Sequence, residues 1–173
     1  RIVVLNDNRK NNPQLENEHG LSLYIEVDGY KILLDAGQTD IFKKNAKKLG
    51  VNLDDLDTIV LSHGHYDHTG GLELLWQQGV TASVLAHPDV ILPRYSRHPD
   101  KPVRSIGMST AIVSQLWQLP PERRHWSTEP QWLAPYWGTS GAIPRLDPLE
   151  ETGGPFFLDA EGSIPDEIAD DQA

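Results

Sequence analysis

Four side chains of the kinds that bind metal ions lie within six residues of one another: His63, His65, Asp67 and His68. Imidazole and carboxylate groups suit zinc and neighbouring first-row ions. In an extended segment His63 and His65 point to the same side, while Asp67 and His68 follow on the next bend. The spacing therefore favours two ions, each with one pair of these ligands. A polar loop with histidines placed by chance is the less favoured interpretation, because such clusters rarely arise without a metal.

The residues before this loop predict strands that position it. Residues 21–27 alternate apolar and polar side chains, as a half-buried strand does. The Asp28-Gly29 pair predicts a hairpin turn into a returning strand at residues 30–34. Residues 58–61 predict a buried strand directly before the four candidate ligands. Polar residues thus gather where strands end, which is the usual place for a functional site.

Helices are predicted between and after these strands, which gives an α/β pattern. Phe42 and Ala46 recur at helical spacing, so we expect a helix there, with Thr39 placed to cap it. Residues 72–78 predict a short helix after the double glycine, and residues 82–86 predict a further strand.

The composition changes after residue 87. Of the 13 prolines, 12 lie between residues 88 and 165, and four of the five tryptophans lie between Trp117 and Trp137. Frequent prolines limit long helices, so we expect a loop-rich insertion with one helix near residues 109–119. The tryptophans predict a satellite core or a subunit contact rather than a platform for substrate. Without a repeat or a low-complexity linker, one domain at residues 1–173 is the simplest division.

The charge and apolar content exclude several classes of partner. Nine of the acidic residues lie after Arg145, where there is no Lys or Arg, and the formal net charge is −10. No basic stripe is present, which argues against a nucleic-acid surface. The longest apolar runs are a few residues, so no membrane-spanning helix is predicted. The absence of cysteine leaves histidine, carboxylate and water as metal ligands and is compatible with a cytoplasmic location.

The run at residues 63–68, His-x-His-x-Asp-His, resembles the signature of the metallo-β-lactamase superfamily. This resemblance implies the N-terminal part of an αββα sandwich with one or two divalent ions between its sheets. Zinc is the first choice of metal, with manganese or iron as alternatives. Asp35, which precedes Gly37, looks like the early aspartate-glycine motif of the superfamily. The resemblance implies that Asp35 orients a metal ligand by hydrogen bonding.

Further segments resemble the dihydropterin-ribofuranosylaminobenzene-phosphate synthase-like metallohydrolases of this superfamily. They are residues 18–22, 42–45, 62–72, 140–145 and 170–173. Superfamily members normally supply further metal ligands from their second half, and in this subfamily those ligands follow the Asp-Asp-Gln-Ala segment that ends this sequence. We therefore expect the chain to be an incomplete, N-terminal portion of the domain.

The resemblance implies a hydrolase that uses a metal-activated water on a small phosphorylated or ester-type substrate, with pterin chemistry as one option. Asp67 is then a catalytic residue that steers this water. Asn8, His19 and Arg145 are candidates for binding the substrate. The alternative is a non-catalytic metal-binding or oligomerising module, in which the Trp-rich insertion joins copies of the chain.

Basic residues are the natural candidates for binding a phosphate, because the guanidinium of arginine offers bidentate hydrogen bonds. We favour a solvated basic loop for most of them and regard Arg145 as the best candidate. For His87, which precedes a proline, we favour a structural turn over an approach to the site. The basic candidates are Arg94, Arg97, Lys101, Arg104 and Arg145.

Overall fold

The chain forms a mixed α/β fold in a computed structural model, which describes residues 1–10, 12–147, 149 and 154–173. In chain order its strands are β1 (Ile2–Asn6), β2 (Ser22–Val27), β3 (Tyr30–Leu34), β4 (Thr58–Val60), β5 (Ser83–Ala86), β6 (Tyr95–Ser96), β7 (Arg104–Ser105), β8 (Arg124–Trp126), β9 (Gln131–Ala134), β10 (Trp137–Thr139) and β11 (Phe156–Phe157). The α-helices are α1 (Ile41–Lys48), α2 (Tyr66–Thr69), α3 (Leu72–Gln77) and α4 (Thr110–Gln118). Short 3₁₀ helices lie at Pro88–Ile91 and Pro121–Arg123.

The largest sheet has the strand order β1-β2-β3-β4-β5-β8. The first three strands are antiparallel, and β3, β4, β5 and β8 run parallel. The predicted hairpin between β2 and β3 is confirmed. Asp28 and Gly29 both have a positive φ, of 52° and 82°, which is the backbone twist that a two-residue hairpin turn requires.

The two faces of this sheet pack against different partners, because side chains alternate along each strand. Leu33, Ile59 and Val84 share a buried cluster with apolar residues of α1, α3 and α4. Ile32, Val60 and Leu85 point to the opposite face. There they contact the hairpin of β9 and β10 through Leu133 and Trp137. This layering confirms the α/β class, and no helix in the described ranges is long and apolar enough to cross a membrane.

The predicted cap of α1 is wrong. The residue before the helix is Asp40, and no side chain caps it. The Thr39 hydroxyl instead donates to Glu18 Oε2 at 2.7 Å, and the Thr39 backbone N–H donates to Glu18 Oε1 at 2.8 Å. The Thr39 hydroxyl is therefore bound to a carboxylate, which is a strong acceptor, and does not accept from an N–H of the helix.

The proline-rich insertion contains more strand than the sequence predicts. Its expected helix is present as α4, and the Ser109 hydroxyl caps it by accepting from the Ile112 N–H at 3.2 Å. The insertion also forms a second sheet of order β11-β6-β7, which we call the small sheet, and the β9–β10 hairpin. These strands are two to four residues long, so prolines between them remove few backbone hydrogen bonds.

The tryptophans of the insertion have different environments. Trp137 packs against Tyr30 with 5.4 Å between ring centroids, which gives the satellite core that the sequence predicts. Trp117 and Trp126 contact each other edge to face at 6.0 Å. Trp132 is 78% exposed and so contributes little to packing within the chain.

Candidate metal centre

The candidate ligands lie at the edge of the large sheet where parallel strands end. Asp35 follows β3, the His63–His65 turn follows β4, and His87 follows β5. His65 is the residue before α2, whose first turn carries Asp67 and His68. Parallel strands end on the same side of a sheet, so side chains from distant parts of the sequence meet there.

Gly64 allows the turn between His63 and His65 to pass close to a neighbouring segment. A Cβ at Gly64 would lie 2.1 Å from the carbonyl oxygen of Val90, which is closer than any side chain tolerates. The Gly64 N–H donates to Asp170 Oδ2 at 2.8 Å. The backbone between the two histidines is therefore fixed from both sides.

The structure brings the four predicted ligands together. The ring centroid of His63 lies 4.6 Å from that of His65 and 4.1 Å from that of His68. His68 Nε2 lies 3.6 Å from Asp67 Oδ2. Within the described residues no three His, Asp or Glu side chains form a ready-made metal-binding group. The sequence predicts only two of these ligands on each ion. Because this is fewer than a group of three, the ligand assignment stays a prediction.

Asp35 lies beneath these ligands and is fully buried. Its Oδ2 accepts from His68 Nδ1 at 2.7 Å and from the Ser62 hydroxyl at 2.7 Å, and its Oδ1 accepts from the Ser62 N–H at 2.8 Å. Burial lowers the pKa of His68, but the hydrogen bond and charge of Asp35 outweigh it, so this pKa is raised. Because Nδ1 faces Asp35, Nε2 is the nitrogen free to bind a metal.

Burial keeps the other two histidines neutral. It lowers the pKa of His63 to about 2, with a further contribution from the nearby His68. It lowers the pKa of His65 to about 4, helped by the charge of Arg94. His65 Nε2 is buried and has no hydrogen-bond partner among the described residues. A neutral imidazole with an unused buried nitrogen is a suitable ligand for a divalent ion, so the residues present fit the metal.

A cavity of about 300 Å³ opens beside these residues. One side of it is formed by His65, Tyr66 and Asp67, and other lining residues come from the insertion. Among the described residues, the cavity is lined by His19, His65, Tyr66, Asp67, Ser96, His98, Lys101, Pro102, Arg104, Ile106 and Phe156.

The other predicted site residues have different positions. His19 lines the cavity, with Nε2 at 3.3 Å from Asp67 Oδ2 and Nδ1 at 3.0 Å from Asn8 Oδ1. Asn8 lies behind His19 and does not line the cavity. Arg145 does not line it either, since its Nε donates to the Glu167 carbonyl at 3.0 Å. His87 Nδ1 accepts from the Asp89 N–H at 3.1 Å and caps a 3₁₀ helix, as the structural interpretation predicts.

One buried ion cluster was not expected from the sequence. Arg94, interpreted there as part of a solvated basic loop, is 1% exposed. Its Nη2 lies 2.8 Å from Asp170 Oδ1 and its Nη1 lies 3.3 Å from Asp166 Oδ2. Asp170 in turn accepts from Gly64, so the cluster reaches the backbone between the candidate ligands. The excess of acids after Arg145 was the available signal, because buried carboxylates require a cation from elsewhere in the chain.

The last residues of the chain dock on the same loop. The Gln172 N–H donates to the Ser62 carbonyl at 3.0 Å, and Gln172 Nε2 donates to the Leu61 carbonyl at 2.9 Å. The Ile143 N–H donates to the Asp171 carbonyl at 2.8 Å. The two segments that resemble the subfamily, residues 140–145 and 170–173, therefore pack together beside the candidate ligands.

This chain belongs to the metallo-beta-lactamase superfamily, whose family model matches residues 16–164. Proteins of this superfamily are typically hydrolases and usually bind divalent metal ions, often zinc. The fold is similar to that of Tm1679, described as a metal-dependent hydrolase of the beta-lactamase superfamily, with a TM-score of 0.69 and 28% identity. That similarity covers 99% of this chain and 59% of Tm1679.

Curated relatives match a shorter part of the chain. An uncharacterized protein of Methanocaldococcus jannaschii is 37% identical over 57% of this chain and 37% of its own length. The 7,8-dihydropterin-6-methyl-4-(beta-D-ribofuranosyl)-aminobenzene-5'-phosphate synthase of the same organism is 35% identical over 48% of this chain and 30% of its own. An anti-Pycsar protein, Apyc1, of Saccharibacillus brassicae is 43% identical over 54% and 31%. The match thus spans about a third of the length of these relatives.

Proposed function

We propose that the protein containing this chain is a metal-dependent hydrolase that acts on a small phosphorylated or ester-type substrate. The observation that carries this proposal is the buried Nε2 of His65, which has no hydrogen-bond partner among the described residues. His65 itself lines a cavity together with Asp67. Membership of a superfamily of metal-binding hydrolases supports it.

In this proposal His63 and His65 hold one ion, and Asp67 and His68 hold a second. Zinc is the first choice, with manganese or iron as alternatives, since nitrogen and oxygen ligands select weakly among them. When bound, such ions supply a nucleophile at neutral pH and stabilise negative charge on the substrate. Asp35 keeps His68 in the required tautomer through its 2.7 Å hydrogen bond. Asp67, which lines the cavity, would also steer the water, and His19 Nε2 lies 3.3 Å from its Oδ2.

The substrate class rests on the relatives and on the charge of the cavity. The M. jannaschii synthase is named for a product that contains a dihydropterin and a phosphate, so phosphate chemistry and, more narrowly, pterin chemistry are proposals for this protein. The cavity contains Lys101 and Arg104 against one carboxylate, Asp67, among the described lining residues. This balance favours an anionic substrate.

Metal analysis tests the ligand assignment. We expect the double variant His63→Ala, His65→Ala to lose about one equivalent of zinc, because the two neutral imidazoles form one of the two ligand pairs. His125→Ala removes an imidazole from β8 outside the site and is the matched control. Zinc content of the purified proteins, measured by mass spectrometry, decides the result. A double variant that retains all of its zinc contradicts the assignment.

A second proposal is that copies of the chain associate through the β9–β10 hairpin. Trp132 is 78% exposed and Tyr136 is 85% exposed, and large aromatic side chains are enriched at protein interfaces. Sedimentation analysis of the wild-type protein and of a Trp132→Ser, Tyr136→Ser variant tests this. We expect the wild-type protein to sediment as an oligomer and the variant as a monomer. A monomeric wild-type protein contradicts the proposal.

A further inference from the structure

The small sheet brings one face to the cavity beside the candidate ligands. Arg104 of β7 lies opposite Ser96 of β6, and Ser96 lies opposite Phe156 of β11. Directly opposite residues on neighbouring strands share one face of a sheet. All three line the cavity, so this face forms a wall, which we call the insertion wall.

The insertion wall is attached to the ligand loop at both of its edges. The Phe156 ring packs edge to face against His65 with 5.1 Å between centroids. At the other edge, Arg104 Nη2 donates to the Tyr66 hydroxyl at 3.0 Å, and its guanidinium carbon lies 5.0 Å from the centre of the Tyr66 ring. The Tyr66 N–H also donates to the Ile106 carbonyl at 2.9 Å. The wall and the candidate ligands therefore keep a fixed relative position.

The charge of the insertion wall contrasts with that of the whole chain. The chain has a formal net charge of −10, yet this part of the cavity carries Arg104 together with Lys101 and His98 from the loop between β6 and β7. In the part of the chain that the structure describes, neither Lys101 nor Arg104 forms a salt bridge with a carboxylate. Their charges are available to an anion in the cavity.

Arg104 has the better geometry of the two cations. One of its nitrogens is held by the Tyr66 hydroxyl, and stacking on the Tyr66 ring limits the rotation of the guanidinium. A guanidinium carries five N–H donors, so several remain for a ligand. Lys101 adds a mobile charge without a preferred direction.

We infer that Arg104, assisted by Lys101, binds a phosphate group of the substrate and makes the insertion select phosphorylated substrates over neutral esters. This inference rests on the proposed hydrolase function and narrows its substrate class. Arg104 is then a specificity-determining residue on the wall that faces the candidate metal ligands. The inference also assigns a function to the part of the insertion with Lys101 and Arg104, for which the sequence favours a solvated loop.

The first test measures anion binding without metal. Orthophosphate is titrated calorimetrically into the metal-free protein, into Arg104→Ala and into Arg104→Lys. Loss of a charge-assisted, two-point contact is expected to weaken binding by about ten- to a hundredfold in Arg104→Ala, and the lysine variant is expected to fall between. Lys47→Ala removes the same charge from α1 outside the cavity and is expected to bind as the wild type does. Absent binding by the wild type, or undiminished binding by Arg104→Ala, overturns the inference.

The second test measures substrate selection in the zinc-loaded protein. The substrates are bis(para-nitrophenyl) phosphate and para-nitrophenyl acetate. We expect Arg104→Ala to lower kcat/KM for the phosphodiester by about tenfold or more and to change that for the acetate by less than about twofold. An equal loss on both substrates overturns the inference, because Arg104 then supports the loop rather than the anion. If the wild type hydrolyses neither substrate, the proposed function fails, and the binding titration alone decides whether Arg104 holds a phosphate.

Discussion

The ligand loop at residues 62–71 and the insertion after residue 87 reach the same cavity by different routes. The candidate ligands in the loop are neighbours in sequence, and their spacing alone brings them together. The residues of the insertion wall come from three short strands, the last of which begins about fifty residues after the second. The ligand loop can therefore be recognised in the sequence as a motif. The residues of the insertion wall come together only when the strands of the small sheet pair.

The two regions also differ in how charge is balanced. In the loop, His68 pairs with the fully buried Asp35, which follows β3. In the insertion, Arg94 is surrounded by two carboxylates, Asp166 and Asp170, from the end of the chain. Because Asp170 also accepts from Gly64, the insertion stabilises the loop through charge as well as through packing.

The largest effect is expected from removing the cation of that cluster. Arg94→Ala leaves Asp166 and Asp170 buried without a cation, which is expected to lower the free energy of unfolding by about 3–5 kcal/mol. Urea denaturation at neutral pH measures the loss. Burial raises the pKa of Asp170, so protonation of this carboxyl is expected to make the loss smaller as the pH falls.

Arg97→Ala is the matched control for this prediction. Arg97 lies three residues further along and is exposed, and its guanidinium contacts the Glu161 carbonyl oxygen. Its removal is expected to cost less than about 1 kcal/mol. Equal losses for the two variants would show that the buried cluster does not stabilise the fold more than a surface contact does.

The pH dependence of the metal-free protein tests the environment of the loop. His63 and His65 have folded-state pKa values of about 2 and about 4, below the ordinary 6.5. The folded state favours the neutral forms of both side chains, so their contribution to stability is complete above pH 6.5. It is lost as the pH falls toward about 4 for His65 and toward about 2 for His63. His68 acts in the opposite direction, because its pKa is raised, and its contribution is lost as the pH rises above 6.5.

Urea denaturation across this pH range, on the wild type and on His65→Phe, measures the effect of one histidine. The variant removes the titrating group, so its stability is expected to fall less steeply below pH 6.5. His125→Ala, an exposed histidine of β8, is expected to keep the wild-type slope. A wild-type slope in His65→Phe would mean that burial does not suppress protonation of His65.

Sequence reasoning succeeded where the physical cause is local. The hairpin at Asp28 and Gly29 follows from the backbone preferences of two residues, and the helix expected near residues 109–119 is present as α4. The proximity of the His63, His65 and His68 rings follows from their spacing after a buried strand, while their role as metal ligands stays a prediction. Each of these features depends on neighbours within a few residues, which a single sequence displays directly.

The predictions that differ from the structure share another cause. In each case the residue contacts a partner that is distant in the sequence. Thr39 does not cap α1 because Glu18, 21 residues earlier, accepts its hydroxyl and its N–H. Arg94 is buried because acids more than 70 residues later surround it. Arg104 reaches the cavity because β7 pairs with β6. The sequence near Thr39, Arg94 or Arg104 does not show these distant partners. The sequence therefore favours a solvated loop for most of the basic residues of the insertion.

The β9–β10 hairpin offers a paired test of which aromatic residues pack. Trp137→Ala removes a partly buried ring from the cluster with Tyr30 and is expected to lower the free energy of unfolding by roughly 2 kcal/mol, about half the cost for a fully buried ring. Trp132 is largely exposed within one chain. At protein concentrations low enough to dissociate the proposed oligomer, its replacement by alanine is expected to change stability by less than about 0.5 kcal/mol. Thermal unfolding of the two variants measures the difference. If both replacements lower the free energy of unfolding equally, the hairpin does not cover that face of the sheet in solution.

The smallest effect compares the starts of α1 and α4. Ser109→Ala removes an N-cap that accepts from the Ile112 N–H, and is expected to cost about 1 kcal/mol. Thr39→Ala removes a hydroxyl that donates to the half-buried Glu18 rather than caps a helix. It is expected to cost about half of that, because the hydrogen bond is exposed and solvent replaces it. Glu18→Gln, which weakens the acceptor, should make Thr39→Ala nearly neutral while leaving the cost of Ser109→Ala unchanged. Urea denaturation of the single and double variants measures the coupling, and additive losses for Thr39 and Glu18 would contradict a direct contact between them.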